Sequence, residues 1–513
     1  MGRPIRNRSD RCSKKHSTPN PPPHYALLVA LTICPPNVVV RSRLPAFLRP
    51  WCAATVVALT AVFWIGCASE PTTPSIMSHL AGHVSVNSAI DSTADYSNFR
   101  VLVAAGRERR IDTLGYTTTN RDGHFAMPVV APERGIYLLT IWGRDGRQRL
   151  LTTEYVVANG DSATLDVTFP IRRPIVPIRS PENAALLTYR NTMALHRQAL
   201  MQRIQRAQYG ENAMMQSIRQ TSSILWGMRT TYDSTYATEL ASVESLALLE
   251  GWNDSLVVER SRRIESSNPR FVEAARIGRR AMARFGGQDA ALALLDDFDT
   301  RAATPDQTAG LYAVRIQTHL DSLEQEQALA TADRLQNEFP GSPWAAWADR
   351  AAYEAETLLP GLTAPDFSVR TMDGDSLSLA DLRGHPVLLE FYRPGDDLYT
   401  QQMSTRNALY AATRTDSVAF LSISLQPDTL LNRAFFEGRR LPGLHVIAPG
   451  GADDPLPQTY NIAAVPTRYL IGPDGRIVDK YVGSALVAVQ DDLARLRTSP
   501  PAAVSASPAP SAP

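Results

Sequence analysis

Chemistry in this 513-residue chain is constrained first by its sulfur. The four cysteines are Cys12, Cys34, Cys52 and Cys67, all within the first 67 residues. A chain beginning at Cys67 would hold no second thiol, and so could neither form an internal disulfide nor run thiol exchange within its folded part, because each needs a further thiolate. A set of reactive groups elsewhere is the stretch "LLEFYRPGDDLYTQQM", Leu388 to Met403, which brings Glu390, Asp396, Asp397 and Tyr399 together. Three carboxylates in one stretch suit a hard cation. Adjacent acids in a glycine-containing loop are more often simply solvated, so no metal ligand set and no cofactor is expected. No HExxH spacing, nucleophile elbow, P-loop or dinucleotide fingerprint occurs, which leaves hydrolase and nucleotide-using functions without residues to carry them.

Composition excludes further classes. With 52 basic against 51 acidic residues, 44% apolar and 20% charged, the chain reads as folded material with no nucleic-acid partner. Lys480 is the only lysine beyond residue 67. Arg41, Arg43 and Arg49 precede an apolar run from Ala53 to Ile65, and Trp64-Ile65-Gly66-Cys67 follows. The run is short for a bilayer span, and "IGC" after it resembles a bacterial lipoprotein signal. That resemblance implies lipidation of Cys67 and a membrane anchor facing the periplasm or the exterior. An uncleaved signal anchor is the alternative. The arginine- and proline-rich leader suggests translation starts nearer Val40. Ala68 in place of an aspartate favours the outer membrane where sorting follows that rule.

The elements that must position the candidate residues divide into seven spans. Residues 1–67 are leader and signal, and 68–80 a tether. Residues 81–170 alternate apolar and polar positions with turns between, as strands do. "GHVSV", "FRVLVAA", "TTTNRDGHFAM" and "GIYLLTIW" give successive strands, with Asp122-Gly123 turning Phe125 inward. This set resembles the carboxypeptidase regulatory-like β-sandwich, a module that implies spacer or adhesion roles. Residues 171–183 form a proline-rich linker. Residues 184–358 show helical periodicity, and the turns at Pro269 and Pro343 suggest a helical region similar to tetratricopeptide hairpins, with a plain bundle as the alternative. Residues 359–497 alternate strands and helices, and 498–513 form a Ser/Pro/Ala tail. The fold class expected is multidomain: a β-sandwich, an all-α repeat-like region, then an α/β domain.

The last domain carries the most specific pattern. "APDF" (Ala364 to Phe367), "LADLRG" and "VPTRYLIGPDGRIV" (Val465 to Val478), in this order, resemble the thioredoxin-like fold of the AhpC/TSA and TlpA-type families, which are thiol-disulfide oxidoreductases and peroxiredoxins. The resemblance covers about the last quarter of the chain. It places the family's two redox cysteines at Asp396 and Tyr399; aligned instead to the peroxiredoxin pattern, Tyr399 and Thr400 take the Cys-Thr pair. Neither alignment contains sulfur, so the family chemistry does not carry over. The resemblance further implies a cis-proline at Pro466, with Val465, Pro466 and Thr467 as a peptide-docking edge, and a buried acid at Glu390. A buried Glu390 is expected to be protonated or hydrogen-bonded, with the Tyr399 hydroxyl as partner, unless its side chain reaches solvent. The resulting expectation is a tethered, redox-inactive module that binds a protein or peptide partner. The alternatives are an oxidoreductase borrowing a partner's thiol and a structural envelope spacer.

Overall fold

A computed structural model describes residues 75–498, apart from 108–109, 173–174, 206–209, 438 and 440. Cys67, the signal, most of the tether and nearly all of the tail lie outside the described residues. No helix among those described is long and apolar enough to cross a membrane. The described chain forms two compact units, one running to Thr318 and one beginning at His319.

The first unit starts with eight strands: β1 (Ile76–Val86), β2 (Arg100–Arg107), β3 (Arg110–Thr118), β4 (His124–Ala131), β5 (Gly135–Trp142), β6 (Arg149–Val157), β7 (Ser162–Phe169) and β8 (Ile178–Arg179). They make two four-stranded sheets, ordered β4-β1-β7-β8 and β3-β2-β5-β6. Period-2 patterning drives them together: "HFAMPVVA" and "SATLDVTF" alternate exposed and buried at every position, so each sheet has one apolar face that must be covered. Leu80, Val84, Val101, Val103, Leu139, Ile141 and Leu165 meet in one core. "TTTNRDGHFAM" is not one strand. It divides at Asp122-Gly123, where the chain passes from one sheet to the other, and Phe125 does turn into the core. The linker expected over 171–183 gives way early: β8 pairs with β7, and α1 begins at Pro181.

Six helices complete this unit: α1 (Pro181–Gln205), α2 (Glu211–Thr231), α3 (Tyr236–Leu249), α4 (Asp254–Ser261), α5 (Phe271–Arg301) and α6 (Pro305–Asp321). Their apolar faces pool into a second core containing Leu225, Leu246, Phe271, Leu295 and Phe298. Arg134, just ahead of β5, bridges Glu182 of α1 and Glu239 of α3 at 2.9 and 3.0 Å.

The second unit contains α7 (Gln325–Glu338), α8 (Pro343–Thr357), the hairpin β9 (Ser368–Arg370) and β10 (Ser376–Ser378), then β11 (Val387–Tyr392), α9 (Asp397–Thr413), β12 (Ala419–Ser424), α10 (Thr429–Phe436), β13 (Leu444–Ile447), α11 (Pro455–Thr459), β14 (Thr467–Ile471), β15 (Ile477–Val482) and α12 (Leu486–Thr498). Its sheet is ordered β13-β12-β11-β14-β15. All six residues of β11 are buried, as a central strand covered on both faces requires. β11 runs parallel to β12 and antiparallel to β14.

Composition changes near residue 359, but packing does not. Tyr353 of α8 donates to the Thr459 carbonyl at 2.9 Å, and Glu354 accepts from Lys480 of β15 at 2.7 Å and from Asn461 at 2.8 Å. Helices α7 and α8 therefore belong with the α/β sheet, and the helical span 184–358 is shared between the two units.

The turn into β4 generates a prediction. Gly123 has φ +85°, and a Cβ placed there would meet the Val84 carbonyl oxygen at 2.1 Å. Gly123→Ala is expected to destabilise the first unit by about 1–3 kcal/mol, as overpacking does, read as a lower urea midpoint with an unchanged m value. An unchanged midpoint would contradict the packing described for this turn.

Candidate functional site

β11 ends in Phe391-Tyr392 and turns through Arg393-Pro394-Gly395 into α9. Asp396 occupies the N-cap, where its side chain accepts from the Tyr399 amide at 2.8 Å, and the Thr400 amide donates to its carbonyl at 2.9 Å. An acceptor at this position satisfies one of the helix's free N–H groups and places negative charge at the positive end of the dipole. Asp396 is thus committed to a structural bond.

Tyr399 is fully buried. Its ring stacks on Tyr392 with centroids 4.4 Å apart and planes 22° apart, and Phe435, Leu441 and Met403 close around the pair. The Tyr399 hydroxyl has no hydrogen-bond partner among the described residues. Burial, and after it the negative charge of Glu390, pushes the phenol of Tyr399 well above its ordinary value, and that of Tyr392 likewise. Both rings stay neutral at physiological pH.

Glu390 faces α9 from the middle of β11 and is 1% exposed. The Tyr399 hydroxyl is not its partner, and its side chain does not reach solvent. Instead Arg406 of α9 donates its Nε–H to Oε2 at 2.7 Å, while Arg468 of β14 donates Nε–H and Nη2–H to Oε1 at 3.1 and 2.9 Å. Ser422 adds its hydroxyl to Oε2 at 3.2 Å. Register explains the cluster: Ser422, Glu390 and Arg468 are direct neighbours across three adjacent strands. The guanidiniums are themselves satisfied, Arg406 by the Pro442 carbonyl and Ser422, Arg468 by the Gly483 carbonyl. Burial alone would raise the Glu390 pKa; the charges and hydrogen bonds of Arg406 and Arg468 outweigh it and hold the carboxyl below its ordinary value. The acid is ionised and fully engaged, so it has no free lone pair with which to accept a proton.

The third feature is the loop ahead of β14. The Val465–Pro466 peptide is cis. Pro466 and Thr467 are buried, the Pro466 carbonyl accepts from the Gly483 amide at 2.8 Å, and the Thr467 hydroxyl donates to the Ala464 carbonyl at 2.7 Å. Only Val465 among the three reaches the surface, and its amide and carbonyl have no partner among the described residues. Leu398 lies beside Gly483, and Val482, opposite Thr467 in register, is half exposed.

Among the described residues no group of three or more His, Cys, Asp or Glu could hold a metal ion. Arg406 and Arg468 are the site residues that motif reading passed over. Their signal was present: a charged residue inside each of two strands, "VLLEFY" and "TRYLI", whose other members are mostly apolar, calls for a counter-charge directly opposite.

Two predictions separate the roles of these side chains. Glu390→Gln leaves two buried guanidiniums without their counter-charge and is expected to cost about 3–5 kcal/mol, measured by urea unfolding of the second unit. Because the folded pKa is depressed, the ionised carboxylate's stabilisation is complete above the unfolded value of 4.5 and is lost as pH falls through the lower folded value; the glutamine variant should lack this acid-side slope. Tyr399→Phe removes only an unpartnered hydroxyl and should leave stability within about 1 kcal/mol of wild type or raise it. A large loss in Tyr399→Phe would show that the hydroxyl is bonded after all.

Residues 360–480 match the AhpC/TSA family. The thiol-disulfide oxidoreductase ResA of Bacillus cereus is 26% identical over 130 residues, covering 25% of this chain and 73% of that protein. Thioredoxin-like protein YneN of Bacillus subtilis (strain 168) is 31% identical over 126 residues, covering 24% of this chain and 72% of that protein. Among solved structures, a thiol-disulfide oxidoreductase from Bacteroides fragilis NCTC 9343 is 25% identical, with 26% of this chain and 98% of that chain covered at a TM-score of 0.24. By these sequence matches, and with an acid-capped, tyrosine-filled loop, the C-terminal part of the chain belongs to the AhpC/TSA family of thioredoxin-like proteins.

Proposed function

We propose that the chain is a membrane-tethered, redox-inactive thioredoxin-like protein that binds an extended segment of a partner polypeptide. The observation that carries this reading is the filling of the redox loop: Asp396 serves as a helix cap, Tyr399 as a buried ring, and no described residue is a cysteine. Neither side chain can form a mixed disulfide or cycle between oxidation states as a thiolate does.

What survives is a backbone edge. An extended peptide laid along Val465 can pair with its free amide and carbonyl, as in strand addition, with Val482 and Leu398, which lies beside Gly483, offering apolar contact. Pro466 and Thr467 shape that edge from below. In the same reading, Cys67 carries a lipid that holds the protein in the cell envelope. The two-sheet part acts as a β-sandwich spacer of the carboxypeptidase regulatory-like kind, and the helices offer a repeat-like surface for further contact.

Two measurements test this. The purified chain should show no turnover in insulin-reduction and peroxide-consumption assays, and sustained turnover would establish the oxidoreductase alternative. Crosslinking in intact cells, wild type against Pro466→Ala, with captured proteins identified by mass spectrometry, should yield a partner set that the variant loses while remaining folded. The same partners in both would move the contact to the helices; none in either would leave a spacer.

A further inference from the structure

His83 on β1 and His124 on β4 stand directly opposite each other in the antiparallel register. Their ring centres are 4.8 Å apart and the ring planes are tilted by 48°. Two imidazoles occupying neighbouring positions on one ion, each bound at about 2.0–2.1 Å, have ring centres roughly 4.5–5 Å apart. The pair already has the spacing of a chelate.

The hydrogen bonding around it is that of a ligand. His83 Nε2 lies 2.9 Å from the Asp122 carbonyl oxygen. A carbonyl can only accept, so Nε2 carries the hydrogen and the neutral ring is left with its Nδ1 lone pair free. A backbone carbonyl fixing tautomer and ring orientation in this way is the usual support of a metal-bound histidine. Asp122 sits in the turn that leads directly into His124, so one turn orients the first ring and delivers the second. Gly123 lets that turn close on the imidazole: a Cβ there would lie 3.2 Å from His83 Nε2. Tyr96 sets its ring edge-on against His83 from another side, with centroids 6.3 Å apart at 88°. His83 is half-buried and held, while His124 is exposed and open to an ion arriving from solvent.

We infer that His83 and His124 form a two-nitrogen site for a late first-row divalent ion, with water completing the coordination. Imidazole donors without thiolate select copper(II), nickel(II) and zinc(II) over the hard cations, with copper(II) bound most tightly. Nothing is oxidised or reduced: two lone pairs replace two waters on the ion. The remaining positions face solvent and are open to a further ligand. The site is independent of the thioredoxin-like domain and of the peptide-binding reading.

The test is titration of the full chain with copper(II) chloride in a non-coordinating buffer, followed by calorimetry and electron paramagnetic resonance. One site with superhyperfine coupling to two imidazole nitrogens is expected. His124→Ala, at an exposed position where folding is not at stake, should lower the affinity about tenfold or more and leave coupling to a single nitrogen at that site. His83→Ala should do the same, with thermal melting as its folding control. The chain has nine histidines, so the double variant measures binding elsewhere and is subtracted. Wild-type affinity and a two-nitrogen spectrum in His124→Ala would overturn the inference, as would the absence of copper binding by wild type at stoichiometric excess.

Discussion

The buried Arg406–Glu390–Arg468 cluster is the constraint on which the C-terminal domain depends. Two guanidiniums and one carboxylate lie almost wholly out of water, and each ion costs several kcal/mol to bury. That cost is offset only where geometry leaves no lone pair or proton idle. Here both carboxylate oxygens are occupied, and the arginines take further acceptors from Ser422 and from the Pro442 and Gly483 carbonyls. One cluster therefore fixes β11, α9, β12 and β14 together with the loops before β13 and after β15. The loop from β11 into α9 is anchored at its base by the same bonds that anchor the edge beneath Pro466.

That anchoring frames the proposed thiol-free loop. A cysteine at a helix N-terminus is held as thiolate by the dipole and the free N–H groups, and a carboxylate in its place uses the same field and one of the same donors. The second position lies in an apolar pocket, and a phenyl ring fills it. Burying the ring contributes about 1.5–3 kcal/mol and the stack with Tyr392 about 0.5–1.5. The unpartnered hydroxyl costs about 1–3. The balance is small but favours the filled loop. With Glu390 locked as an anion between two arginines, its carboxylate has no lone pair left to accept a proton. The cap at Asp396, the stacked ring of Tyr399 and the engagement of Glu390 form one consistent arrangement.

The α/β domain was legible because its information is local and ordered: an apolar run for β11, Asp474-Gly475 for the β14–β15 turn, and a proline after Ala464-Val465 all sit at fixed places in sequence. Counting from Phe391 puts Asp396 and Tyr399 at the start of α9, where the structure has the N-cap and a buried ring. The partner of Glu390 did not, because it depends on antiparallel register between strands 78 residues apart, and no local pattern specifies register at that distance. Tyr399 was the nearer donor in sequence, yet stacking on Tyr392 holds its ring in the aromatic cluster and leaves its hydroxyl unbonded. Domain limits drawn from composition failed at α8 for a related reason. Alanine-rich amphipathic helices look alike whichever core they cover, and it is contacts such as those of Tyr353 and Glu354 with Thr459, Asn461 and Lys480 that assign this one to the sheet. His83 and His124 were likewise invisible as a pair, since their meeting is a property of the β1–β4 ladder.

The geometry also limits how a binding function can operate. Two backbone hydrogen bonds at Val465 contribute about 0.5–1.5 kcal/mol each, and covering the half-exposed Val482 adds no more than about 1.5–3. Set against the entropy lost on association, of at least about 4 kcal/mol, such an edge alone holds a free peptide weakly. The proposed tether would change the comparison, because a protein anchored in the same membrane as its partner meets it at an effective concentration far above the bulk value, and a second contact multiplies rather than adds to the first. The proposed binding role is suited to this regime. The exchange reaction needs a brief, weak encounter that chemistry makes productive; without the chemistry, the encounter persists only where anchoring and additional surface keep the two partners together.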